Sequence, residues 1–168
     1  MKLENTLIIS ALIQRRIGGK RHLFLQTRFK PDKSPAYSGL IEIPAGKIDA
    51  YENVYDALGR EVKEECGLTV TRTIDDFHTD PAQFDNEDAV FVFRPFLCQQ
   101  MLRSRHGLPW TGFVFLCETI GEPKMDNSEA INPRWVSGDE LEIILEKPEM
   151  VFPLQFPVLQ FYLNYLKA

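Results

Sequence analysis

The 168 residues are 44% hydrophobic and 26% charged, the make-up of one ordinary globular domain over residues 1–168, which excludes global disorder. Twenty-four acids against nineteen bases leave a net charge of -5. That balance argues against a general binder of nucleic acid or of an anionic membrane, and an anionic substrate needs local compensation. No run of about 18 apolar residues predicts a transmembrane helix. The N-terminal residues 1–12 read as a first strand rather than a signal peptide. Cys66, Cys98 and Cys117 form no CxxC pair. Reduced thiols in a cytoplasmic protein are expected, two of them as small core residues.

Residues 6–14 are apolar and β-rich, Gly18-Gly19-Lys20 supplies a turn, and residues 23–28 alternate, so the first element is a hairpin. Pro31, Asp32 and Pro35 mark residues 29–38 as a loop. A short strand over 40–43 stops at Pro44. The spacing predicts a helix over 53–65, with Asn53 as cap, Asp56 in a capping-box position and Gly67 in a left-handed C-terminal cap. Gly59 is a misfit there and suggests that something packs closely against it. Strands are expected over 68–77, 89–101, 111–120 and 134–136, with loops over 78–88, 103–109 and 121–132. Ser137 and Glu140 form a capping box for a helix over 139–146, and Pro157 opens a last helix to residue 166. Strands around one early helix with two late helices predict an α/β fold, a mixed sheet in a three-layer α/β/α sandwich.

Within residues 46–68, Gly46 is followed at fixed intervals by Glu52, Arg60, Glu61, Glu64, Glu65 and Gly67. On a helix Glu61, Glu64 and Glu65 stand at i, i+3 and i+4 and share a face. A solvated charged face is the ordinary reading of such a run. A hard divalent cation is the alternative, because Mg²⁺ takes oxygen ligands and keeps waters for substrate phosphates.

The interval matches the Nudix box, G-x5-E-x7-R-E-U-x-E-E-x-G-U, at every fixed position, with Val62 and Leu68 at the aliphatic places. Seven fixed residue types at roughly 7% background coincide by chance about once in 10⁸ windows. The chain therefore resembles the Nudix hydrolases. The resemblance implies Mg²⁺ or Mn²⁺ bound by Glu61, Glu64, Glu65 and the carbonyl of Ala45. It implies that Arg60 and Glu52 pair and orient those carboxylates. It also implies hydrolysis of a nucleoside diphosphate linked to another group. The general base in relatives is a box glutamate or an acid in a late loop. Here that loop offers Glu122, Asp126 and Glu129, of which Glu129 is favoured by its place before the Trp135 strand.

The form Ile43-Pro44-Ala45-Gly46 is frequent among ADP-ribose and nucleotide-sugar pyrophosphatases. Gln26-Thr27-Arg28 and Glu42 resemble the same group, which gives Arg28 a phosphate and Glu42 a ribose or base to bind. A surface arginine and a structural pair are the plainer readings. Trp110 and Phe84 flank loops and are candidates to stack on a base; His22, His78 and His106 have no ligand spacing and are expected at the surface. Three alternatives stay open. They are a hydrolase of ADP-ribose-like substrates, a nucleoside triphosphate pyrophosphatase that clears oxidised nucleotides, and a non-catalytic Nudix-fold binding module. The expected partner is a small nucleotide, with no nucleic acid and no membrane, and a homodimer is left open. The box holds six acids and three bases, a net of -3, so most of the excess charge lies where a cation is expected.

Overall fold

The computed structural model describes residues 5–84, 88–104, 107 and 109–168. In chain order the elements are β1 (Thr6–Ile17), β2 (Lys20–Arg28), β3 (Ile41–Glu42), β4 (Ala45–Lys47) and α1 (Val54–Cys66). There follow β5 (Thr69–Ile74), β6 (Phe77–His78), β7 (Ala82–Gln83), β8 (Ala89–Val90), β9 (Phe93–Arg94), β10 (Leu97–Gln100) and β11 (Trp110–Ile120). The chain ends with β12 (Ala130–Ser137), α2 (Gly138–Leu145) and α3 (Phe156–Lys167).

The main sheet runs β10-β11-β1-β2-β12, with β3 on β2, β4 on β1 and β5 on β11. β1 and β11 are parallel, and the other pairs are antiparallel. Alternation decides the layers. Ile9, Ala11, Ile13, Phe24, Phe115 and Cys117 meet Val54, Ala57, Leu58 and Val62 of α1 on one face. Leu12, Leu23, Leu25, Val114 and Leu116 meet Leu141, Val158, Leu159 and Tyr162 of α2 and α3 on the other. The three-layer α/β/α arrangement holds. Among the described residues no helix is long and apolar enough to cross a membrane.

The caps explain the helix limits. Asn53 accepts the Tyr55 N–H, and the box with Asp56 does not form. Gly67 at φ 71° donates its N–H to the Lys63 carbonyl. The Ser137–Glu140 box does form. The expected strand over 68–77 is split, because the chain breaks after Ile74 at Asp75, whose φ is 54°. The expected strand over 89–101 is split into β8, β9 and β10. Pro95 has no N–H to give a ladder and stands at one break. β7 lies within the expected loop 78–88, and β12 starts inside the expected loop 121–132. A register shift between Ile131 and Arg134, with Asn132 at φ 54°, hid that start. His106 and parts of the loops 78–88 and 103–109 fall outside the described residues. Cys66 and Cys117 are buried, and Cys98 is exposed.

Gly59 has open space beside it: beyond its chain neighbours and the backbone of its own helix, a Cβ there would meet no atom within 4 Å. The expectation of close packing is therefore corrected. Gly59→Ala is expected to raise stability by about 0.5–1 kcal/mol, because it removes unfolded-state freedom at a helical position with room. A urea midpoint that fails to rise would contradict this.

Candidate active site

Three elements build the site. Helix α1 supplies Glu61, Glu64 and Glu65, β4 supplies Ala45, Gly46 and Lys47, and the segment after β2 supplies Lys30, Lys33 and Ser34. Together with Arg28, Asp126, Ser128, Glu129 and Ala130 they enclose a cleft of about 880 Å³. One wall is acidic, and Arg28, Lys30, Lys33 and Lys47 put four cationic groups into the same cleft.

Arg60 organises the acidic wall. Its Nε and Nη2 donate to the two oxygens of Glu52 at 2.8 Å each, and Nη2 also donates to the Lys47 carbonyl at 3.0 Å. Its Nη1 donates to Glu61 Oε1 at 2.7 Å and lies 3.6 Å from Glu64. The guanidinium bonds hold the Glu52 carboxyl down at about 2. Burial outweighs Arg60 at Glu61, whose carboxyl stays above its ordinary range, helped by the charges of Glu64 and Glu129. Glu61 also fills the space a side chain at position 46 would need, since a Cβ on Gly46 would overlap its carboxylate.

Glu65 points inward. Its Oε2 accepts from Gln26 Nε2 at 2.9 Å and from the Ala45 N–H at 3.2 Å. Burial first, and then the Glu42 charge, push its carboxyl up to about 8. Among the described residues no three acid, histidine or cysteine groups already converge tightly enough to grip one ion. The reason is visible: Glu61 leans on Arg60, Glu65 on Gln26, and Glu64 faces solvent. The residues nevertheless suit a hard cation. The donors are all oxygen, and two of the carboxylates are desolvated beside like charges that a cation would relieve.

Arg28 donates to Glu42 Oε2 and to Ser34 Oγ, each at 3.1 Å, and lies over the Phe152 ring at 4.8 Å. Glu42 is buried, only 3% exposed, and its carboxyl is raised by that burial despite Arg28. Glu129 reaches the cleft, where Lys30 at 2.6 Å and Lys33 at 3.3 Å hold its carboxyl below the ordinary range. Asp126 lines the cleft but accepts from Ser128, and Glu122 lies away from it on Arg15. Trp110 lines a recess of about 270 Å³ with Phe152 and Ser10, sharing Arg28 and Lys30 with the cleft. Phe84 and His78 are exposed, His22 is half-buried, and all three lie outside both cavities. Lys30, Lys33 and Phe152 have no place in the site as read from the sequence, and Gln26 enters there only in the Gln26-Thr27-Arg28 motif, without a role of its own. Lys30 and Lys33 lie two and five residues after Arg28, and that proximity is the available signal.

Glu65 makes stability depend on pH. The fold keeps its proton up to about pH 8, whereas the unfolded chain releases it near 4.5. The stability tied to this proton is complete below pH 4.5 and is lost progressively as pH rises to about 8. The full loss is on the order of 5 kcal/mol. A cation favours the ionised carboxylate, so Mg²⁺ is expected to raise Tm more at about pH 8 than at about pH 5.5. Equal thermal shifts at both values would contradict this.

The family model for the NUDIX domain matches residues 7–158. An uncharacterised Nudix hydrolase of Schizosaccharomyces pombe is 42% identical over 55 residues, which span 33% of this chain and 25% of that relative. A MutT protein of Methanosarcina mazei has a similar structure, with TM-score 0.65 and 21% identity over 100% of this chain and 99% of that one. The NUDIX domain of Shewanella oneidensis NrtR, solved in complex with ADP ribose, superposes with TM-score 0.60. It is 13% identical, over 97% of this chain and 89% of that one.

Proposed function

This chain belongs to the Nudix family, and from that premise we propose that it is a divalent-cation-dependent pyrophosphohydrolase. Its proposed substrate is a nucleoside diphosphate linked to another group, with ADP-ribose or a nucleotide sugar as the leading candidates. The observation that carries the reading is the cleft itself, in which the carboxylates of α1 share one cavity with Arg28, Lys30, Lys33 and Lys47. An acidic face alone would repel a diphosphate, and a basic face alone would bind it without chemistry.

Glu61, Glu64, Glu65 and the Ala45 carbonyl would hold Mg²⁺ or Mn²⁺. The bound cation supplies charge neutralisation and a lowered pKa for attacking water. Arg60, anchored by Glu52, fixes Glu61. Arg28, Lys30 and Lys33 bind the phosphates and stabilise the charge that gathers there during attack. Glu129 accepts the proton of the attacking water. Its two lysines keep it a weak base at rest. A phosphate that draws Lys30 and Lys33 to itself removes that restraint and makes Glu129 more basic.

The preference for ADP-ribose rests on the Pro44-Ala45-Gly46 form and on Arg28 in the cleft; Glu42 is buried behind Arg28 as its ion-pair partner and does not line the cleft. The structural likeness to a domain solved with ADP ribose also supports it. The competing triphosphate reading differs in products. A Mg²⁺-dependent panel of ADP-ribose, nucleotide sugars, dinucleoside polyphosphates and oxidised triphosphates separates them. Monophosphate plus a phosphorylated partner is expected; monophosphate plus pyrophosphate would select the triphosphate reading. No turnover on the whole panel, with Mg²⁺ still bound, would favour a ligand-binding module.

A further inference from the structure

Gln26 is fully buried on β2, where alternation puts it on the α1 side with Phe24. Its Nε2 donates to Glu65 Oε2 at 2.9 Å and to Glu42 Oε1 at 3.4 Å. Glu42 in turn receives Arg28 at 3.1 Å. One amide nitrogen, with two protons, thus stands between two carboxylates and spends a proton on each. The reverse orientation would aim Oε1 at Glu42, a carboxylate that already accepts from Arg28, so that contact sets which way the amide points. In that orientation Gln26 Oε1 is buried with no partner. An orphaned buried acceptor is a cost to the fold that an apolar side chain of similar length would avoid. The amide is therefore poorly explained as a core residue and well explained by what its nitrogen holds.

We propose that Gln26 is a positioning residue for the cation site, its NH₂ group fixing the Glu65 carboxylate and separating it from Glu42. This rests on the reading of Glu65 as a cation ligand. Without the amide, Glu65 and Glu42 face each other unbridged, and Glu65 is free to swing out of place. Groups of this kind, which orient a ligand without touching the ion, typically change metal affinity by about 10–100-fold.

The test is Mn²⁺ titration into the metal-free wild type, Glu65→Gln and Gln26→Met, followed by calorimetry and by the electron paramagnetic resonance of free Mn²⁺. Gln26→Met is expected to keep the wild-type circular dichroism and to raise the Mn²⁺ Kd by at least about tenfold. In turnover, kcat at fixed Mn²⁺ is expected to fall about tenfold with KM for the nucleotide little changed. A folded Gln26→Met that binds Mn²⁺ as tightly as wild type overturns the inference. If Gln26→Met does not fold, Gln26→Asn takes its place: it keeps the amide but is one methylene short of both carboxylates. The same rise in Kd supports the inference, and an unchanged Kd overturns it. Glu65→Gln separates the two levels. If wild type binds no Mn²⁺, or Glu65→Gln binds it equally well, the reading of the site fails and the inference falls with it. If Glu65→Gln loses Mn²⁺ and the Gln26 variant does not, the inference alone fails.

Discussion

Glu65→Gln is expected to lower Mg²⁺-dependent turnover by about 10³-fold or more while the chain stays folded. The two halves of that result have separate causes. Glutamine has the size of glutamate, and its carbonyl oxygen can accept from Gln26 Nε2 and the Ala45 N–H as Glu65 Oε2 does. The local bonds therefore survive. What disappears is a negative charge held in a desolvated place beside Glu42. Without cation that charge is a burden, so the variant is expected to melt higher than wild type at about pH 8 in chelator. With cation it is the anchor, so the variant loses the Mg²⁺-induced rise in Tm. Turnover near the wild-type rate in a folded Glu65→Gln protein would remove Glu65 from the cation site.

Gly46→Ala is expected to lower turnover by about 10²-fold with little change in melting temperature. Gly46 lies in β4 with an ordinary backbone conformation, so alanine brings no torsional strain. Its Cβ would instead overlap the Glu61 carboxylate. That carboxylate is the far end of a flexible side chain and can swing away at low cost to the fold. In doing so it leaves Arg60 and the cleft, and the cost falls on function. Unchanged turnover and Mn²⁺ affinity would show that the glutamate position is not set by the missing side chain. A large fall in Tm would show that Gly46 serves the sheet instead.

The box was legible because its chemistry is written in helical spacing: Glu61, Glu64 and Glu65 are near in sequence and near in space. The same holds for the caps at Asn53, Gly67 and Ser137, which are local devices. The roles of Gln26, Lys30 and Phe152 were not legible, although Gln26 belongs to the Gln26-Thr27-Arg28 motif, because they come from contacts between distant parts of the chain. Gln26 and Glu65 are 39 residues apart, and Lys30 and Glu129 are 99 apart. Alternation along β2 could place Gln26 on the α1 side, but no local pattern could say that two carboxylates waited there. Strand limits failed where one residue broke a ladder, as Asp75 did after β5 and as Asn132 did within β12. Gly59 misled for a different reason. A glycine in a helix signals an unusual requirement, and here the space around it is open.

The opening charge balance has a physical counterpart. The acids of α1 are not a diffuse negative surface. They face Arg28, Lys30 and Lys33 across one cleft, and Glu61 and Glu65 are costly to keep ionised there without a cation.

The cleft is expected to cleave a diphosphate only when a divalent cation is bound. Phosphorus NMR of ADP-ribose with the wild-type protein, in ¹⁸O-labelled water, with Mg²⁺ and then with excess chelator, tests it most directly. AMP and ribose phosphate are expected in Mg²⁺, with one labelled oxygen on a product phosphate, and no cleavage is expected in chelator. Cleavage that persists undiminished in chelator would contradict it.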